Sequence, residues 1–186
     1  MSNGMSWLEQ YRALSAYNQQ MNRKLYGAAD RLSDEERKRD RGAFFGSIHA
    51  TFNHLLLADR IWMLRLTGDD ARFGLRDEAG LPLRVQSLAQ QLFADYATLR
   101  QERERTDRDI VDYVAVLTET DLTQEMTYTR GQTQVVHVRW WALTHFFNHQ
   151  THHRGQITTL LTQAGVDVGV TDLIAWLRDP RGFAQA

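Results

Sequence analysis

His145, His149 and His153 repeat at intervals of four in the stretch His145-Phe146-Phe147-Asn148-His149-Gln150-Thr151-His152-His153-Arg154-Gly155-Gln156, which holds four of the chain's seven histidines within nine residues. On a helix, side chains at i and i+4 are neighbours, so one face carries a ladder of imidazoles. Such a ladder holds two nitrogen donors close together before any ion arrives, which is the first requirement of a metal site. The spacing offers two overlapping pairs, His145 with His149 and His149 with His153. His152 is turned about 100° from His153 by the helical period and points elsewhere.

A catalytic site of the zinc type has three protein donors and one open position, so a third ligand is expected from a facing helix. His49 and His54 are the candidates. His54 lies within the apolar run Phe52-Asn53-His54-Leu55-Leu56-Leu57 and is preferred; His49 stands nearer the helix start, where it is expected to reach solvent or an end of the bundle. Neutral imidazoles with no cysteine and no evident carboxylate suit Zn, Ni or Fe(II) about equally. A zincin peptidase is excluded, because its helix needs Glu directly after the first His and Gln150 stands there. His49, His137 and His152, taken singly, are expected to be ordinary surface or core residues. His145 is either a pocket residue or a hydrogen-bonded core imidazole.

The elements that must carry these residues follow from the hydrophobic period. Ser6-Trp7-Leu8-Glu9 has the pattern of a capping box, and Trp7, Tyr11, Leu14, Asn18, Met21 and Leu25 continue a helical stripe, predicting helix A near residues 6–29. A charge-rich connection over 30–41 follows, in which Ser33 begins a short turn. Ser47 is the expected N-cap of helix B and Gly68 its end. A Gly- and Asp-bearing loop over 67–82 is long enough to be a crossover, after which Val85, Leu88, Leu92, Tyr96 and Leu99 restart the helical period as helix C, running through Leu117. Arg130-Gly131-Gln132 marks the turn of a small hairpin between 122 and 138. Helix D, about 139–164, holds the histidines and ends at Gly165, and a short helix over 172–178 precedes Pro180. The mixed-sign run Arg100–Asp109 reads as a solvated face. These elements predict an all-α fold, a four-helix bundle with one crossover connection, a small hairpin before the last long helix and a short C-terminal helix.

Composition limits the alternatives. The 186 residues are expected to form a single domain, 1–186, and 42% hydrophobic with 24% charged residues is a globular balance. The formal net charge of -1 provides no whole-chain field to draw nucleic acid or anionic lipid. No run of about 18 apolar residues and no signal-peptide pattern is present, so a soluble, unprocessed, cytoplasmic protein is expected. Without cysteine, neither a disulfide nor a thiolate site can form, and any thiol chemistry needs a thiol from a second substrate.

Asn53-His54-Leu55, Asn148-His149-Gln150-Thr151-His152-His153-Arg154-Gly155-Gln156 and the helix A element Tyr17-Asn18-Gln19-Gln20-Met21-Asn22 resemble the DinB family of damage-inducible proteins. The resemblance covers nearly the whole chain, including the hairpin and the Asp172-Leu173-Ile174 turn. It implies a four-helix bundle with a crossover, a divalent metal held by His54, His149 and His153, and a homodimer. Relatives in the wider superfamily include metal-dependent thiol transferases and isomerases that use thiols such as bacillithiol and mycothiol. The expected function is therefore thiol-dependent S-transfer to small electrophiles at a three-histidine site with an open position. The alternatives are a metal-assisted hydrolase on the same centre and a non-catalytic metal-binding protein of a stress response. Asn18, His145 and Arg154 are the substrate-pocket candidates: Asn18 either faces the metal cavity or bonds across the core, and Arg154 either meets an anionic substrate or pairs elsewhere.

Overall fold

The computed structural model describes residues 6–76 and 80–179. Four long helices dominate it: α1 (Trp7–Ala29), α3 (Ile48–Thr67), α5 (Tyr96–Val116) and α7 (Arg139–Gln163). Short helices α2 (Asp34–Lys38), α4 (Asp70–Phe73), α6 (Glu119–Thr123) and α8 (Leu173–Arg178) sit in the connections, and β1 (Glu125–Arg130) pairs antiparallel with β2 (Thr133–Val138) before α7. No described helix is long and apolar enough to cross a membrane.

The ends of the helices are set by local chemistry. Ser47 Oγ accepts the Ala50 amide and starts α3, and Asp95 accepts the Thr98 amide at 2.7 Å and starts α5. Gly68 closes α3 at φ 70°, a left-handed conformation in which a Cβ is strained. Two expected signals act differently. Ser6 caps nothing with its side chain and donates instead to Glu119 at 2.6 Å, while a true capping box forms at Thr118 and Asp121. Trp7, placed on the buried stripe by its spacing, is 62% exposed because α1 begins there, before its stripe meets α7 and α5. Of the expected C-terminal features, α8 is formed; Pro180 lies outside the described residues.

Contacts between helix ends give the topology. Tyr11 reaches Trp140 at the start of α7 and Arg31 reaches Asp167 beyond its end, so α1 and α7 are parallel. Arg139 donates to the Leu66 carbonyl, so α7 runs antiparallel to α3. Arg60 meets Glu102 and Arg72 meets Asp109, so α3 and α5 are parallel. A parallel pair needs a connection that returns the full helix length, and residues 68–95 supply it. That crossover travels back along α3: the Gly74 carbonyl accepts from Arg60, the Leu88 carbonyl from His54, and Leu92 and Phe93 donate to Asn53.

The last contacts explain why α5 starts at Tyr96 and not near Val85. Backbone groups at residues 88, 92 and 93 serve as partners for α3 side chains, which a helix would have consumed internally. Leu92 is buried and Val85 packs partly against the core, whereas Leu88 is 58% exposed, so the three do not share one buried face.

The core has two large apolar clusters separated by a polar layer, and a small third one of Tyr17, Met21 and Trp176. One large cluster holds Leu25, Phe52, Leu56, Leu99, Ile157 and Leu161; the other holds Tyr11, Met63, Ile110, Val114, Leu143 and Phe146. Between them Arg103, 1% exposed, joins Asp59 of α3 at 2.5 Å and Asp107 at 2.9 Å. Asn22 and Asn18 of α1 donate to Asp107 Oδ1 at 2.9 and 3.3 Å, and Arg154 of α7 donates to Asn18. All four long helices therefore contribute to one buried ionic network. The Arg100–Asp109 run is solvated on its outer side only; Arg103 and Asp107 continue the stripe of Leu99, Ile110 and Val114 into the interior.

Candidate metal centre

His54 projects from α3 and His149 and His153 from the facing, antiparallel α7. His149 and His153 are one helical turn apart, and their Nε2 atoms lie 3.0 Å from each other. His54 Nε2 is 3.1 Å from His153 Nε2, and one ligating nitrogen from each of the three residues falls within 4.8 Å of the others. For comparison, two nitrogens bound tetrahedrally to zinc at about 2.0–2.1 Å stand about 3.4 Å apart.

The outward-facing nitrogens show which lone pairs point inward. His54 Nδ1–H donates to the Leu88 carbonyl at 2.8 Å, and His153 Nδ1–H donates to Gln156 Oε1 at 2.8 Å. Both rings are thereby held as the tautomer whose Nε2 is a bare acceptor, the arrangement that outer hydrogen bonds impose on metal-ligating imidazoles. Two bare lone pairs 3.1 Å apart repel unless a cation lies between them. The donor set fits a divalent ion, and among the described residues no Cys, Asp or Glu joins it.

Burial and mutual proximity keep these rings neutral. Burial first, then the neighbouring His153 and His54, push the His149 pKa down to about 3. Burial pushes His153 down to about 4 against the opposing Gln156 hydrogen bond, and lowers His54 against its bond to Leu88. At neutral pH all three therefore offer unprotonated donors, as a metal requires.

Two segments shape the surroundings. The crossover is anchored by Asn53, whose Oδ1 accepts the amides of Leu92 and Phe93 at 2.8 and 2.9 Å, and by His49, whose Nε2 meets the Phe93 carbonyl at 2.9 Å. His49 is thus fully buried and not at the solvent-facing end its position suggested. The turn before α3 lays Phe45 flat on His54, with ring centroids 3.9 Å apart and planes within 19°. Neither Asn53, Gln156 nor Phe45 stood out in the sequence, though Asn53 and Gln156 lie within the motifs that carried the family resemblance.

The remaining candidates separate. His145 is exposed on the ladder, its ring 5.8 Å from that of His149 and 4.9 Å from that of Trp62. Asn18 takes the core alternative, and Arg154 is buried among Asn18, Gln150 and Thr151 in the ionic network. Neither is brought to the three imidazoles by these contacts. His152 is exposed and accepts from Gln156, as its rotation on the helix required.

The family model for the DinB family matches residues 1–181. The chain belongs to the DinB family. A search of curated proteins finds no match. Among solved structures, this DinB protein is similar to YfiT from Bacillus subtilis, described as a probable metal-dependent hydrolase with an unusual four-helix bundle topology. The two share 16% identity at a TM-score of 0.59, over 90% of this chain and 94% of that one. At that identity the likeness establishes the shared bundle topology of the DinB chain.

Proposed function

We propose that the protein is a metal-dependent enzyme in which His54, His149 and His153 hold a divalent ion and a low-molecular-weight thiol is transferred to an electrophilic small molecule. The observation that carries this reading is the convergence of three Nε2 atoms with no fourth protein donor among the described residues. A divalent ion held there would lower the pKa of a thiol or water at its free position. Three neutral imidazoles cancel none of the ion's charge, which favours an anionic nucleophile beside them. The Leu88 carbonyl and Gln156 keep two rings aimed, and Phe45 shields His54 from water on one side. The thiol proton leaves to solvent, a sulfur–carbon bond forms, and the leaving group departs with the electron pair of the bond that breaks.

The same centre also suits a metal-assisted hydrolase with water as nucleophile, a reading supported by the description of YfiT. One experiment separates the two. Protein loaded with Zn, Ni or Fe(II) is given 1-chloro-2,4-dinitrobenzene with a panel of thiols, and separately a nitrophenyl ester without thiol. Metal-dependent thioether formation supports transfer. Ester cleavage without thiol, and no thioether above background, overturns it in favour of hydrolysis.

A further inference from the structure

From His149 an unbroken run of side chains leads along the α3–α7 seam towards the hairpin. His145 follows His149, Trp62 follows His145, and the Trp62 ring lies 5.6 Å from Tyr128 on β1. Arg65 closes the run. Its guanidinium carbon is 4.9 Å from the centre of the Trp62 ring and 4.3 Å from that of Tyr128. His54, Trp62 and Arg65 are eight and three residues apart on α3, so all three lie on nearly the same side of the helix.

Arg65 differs from the ion-paired arginines of the bundle, and also from Arg139 and Arg154, which lack a carboxylate partner but are hydrogen-bonded to other groups. Arg60, Arg72, Arg100 and Arg103 each pair with a carboxylate within 4.0 Å, whereas among the described residues Arg65 has no acidic partner. Its charged neighbours are of its own sign: Arg130 acts on it unfavourably, and its charge in turn opposes protonation of His145. Arg65 is half-buried, yet none of its nitrogens is both buried and unpartnered, so the fork is still open to a ligand. A stacked guanidinium keeps its edge free, and that edge matches a carboxylate with two parallel hydrogen bonds.

We propose that Arg65, held between Trp62 and Tyr128, is the carboxylate anchor for the small-molecule substrate of this centre, with the substrate's flat or apolar body lying on Trp62 and His145. The inference rests on the metal-centre reading only in naming the ligand as that centre's substrate; the anchor binds its anion whether or not metal is present.

The test therefore uses binding, not turnover. Zinc-loaded and metal-free protein are titrated with 3-phenylpropionate and with its uncharged amide, following the indole Nε1–H resonance of Trp62, assigned by its loss in Trp62→Phe. The carboxylate binds more tightly than the amide in both forms. Arg65→Gln weakens the carboxylate about tenfold or more and leaves the amide unchanged, and the preference fades as salt rises. Arg65→Lys, which keeps the charge but loses the fork and the stacking, retains part of the preference and serves also if Arg65→Gln does not fold. An unaltered carboxylate-to-amide ratio in these variants, or no carboxylate binding in the parent, overturns the anchor. Zinc stoichiometry, measured on the same samples, reports separately on the three histidines.

Discussion

Replacing Arg103 by Met should destabilise the bundle strongly at pH 8 and far less at pH 5. Arg103 is 1% exposed and lies against two carboxylates, Asp59 at 2.5 Å and Asp107 at 2.9 Å, each also 1% exposed. The Asp107 contact is close but poorly aligned, since Arg103 Nη2 makes no directed hydrogen bond. Burial raises Asp59 to about 7 and Asp107 to about 6, with Arg103 the main opposing influence on each. Removing one partner of a buried ion pair costs about 3–5 kcal/mol, a large part of the roughly 5–15 kcal/mol that holds a domain together. For a chain of this length that is a fall in Tm of roughly 6–20 °C.

The pH dependence fixes the cause. A carboxyl whose folded pKa is raised contributes stability below its unfolded pKa and loses that contribution as pH rises through the folded value. In the parent this window ends near the values of about 7 and about 6 for Asp59 and Asp107. In Arg103→Met both carboxyls rise further, so the window extends upward and the variant pays most where the parent is ionised. At pH 5 both acids are largely protonated in either protein, and Met is an adequate apolar filler. The assay is urea unfolding of both proteins, metal-free, at pH 5 and pH 8; titrations common to the two cancel in the difference. A loss below about 1 kcal/mol at pH 8, or an equal loss at both pH values, would refute the argument that the cost is electrostatic.

His54→Ala, His149→Ala and His153→Ala should each abolish stoichiometric zinc binding by calorimetry, and His152→Ala should not; equal loss in His152→Ala would overturn the ligand set. Gln156→Leu removes the acceptor that fixes the His153 tautomer and should lower metal affinity about 10–100-fold without lowering stoichiometry, measured by competition with a chromophoric chelator. Asn53→Ala frees the Leu92 and Phe93 amides and should cost about 1–3 kcal/mol, with faster amide exchange confined to residues 88–95. In the metal-free protein the depressed imidazoles of His149 and His153 should take up protons only near about 3 and about 4. Their stabilising contribution is complete above the unfolded value of about 6.5 and is lost as pH falls towards those values. Histidine Cε1–H resonances that titrate above pH 6 for these residues would contradict it.

Much of this was legible as periodicity. The ladder at 145, 149 and 153, the apolar surroundings of His54, the caps at Ser47 and Gly68, and the Gly131 turn are local patterns, and each shapes the structure as its chemistry dictates. What was not legible depends on partners distant in the chain. Val85, Leu88 and Leu92 have helical spacing, yet the backbone around them is claimed by His54 and Asn53, more than thirty residues earlier. Arg103 and Asp107 stand in a charged run that resembles a solvated face. The available signal was their phase: they occupy the positions between Leu99 and Ile110 where an apolar residue was due. His49 was misplaced for a similar reason, since its partner, the Phe93 carbonyl, is on the crossover.

The ionic network bears on the metal centre through α7. Gln150 and Arg154 each follow one of the converging histidines by one residue, about 100° around the helix, and both are buried in the core. Even part of the rotation of α7 that would bring Arg154 to the seam would carry His149 and His153 away from His54, towards the exposed side where His152 stands. Apolar side chains at 146, 157 and 161 tolerate such a shift poorly but not prohibitively, since packing is adaptable. Directed contacts are less forgiving: Arg154 must reach Asn18 on α1, which is itself fixed by Asp107 on α5, which in turn faces Arg103 and, beyond it, Asp59 on α3. The same chain of contacts that makes the middle of this bundle costly to assemble holds α7 at the rotation in which His149 and His153 meet His54.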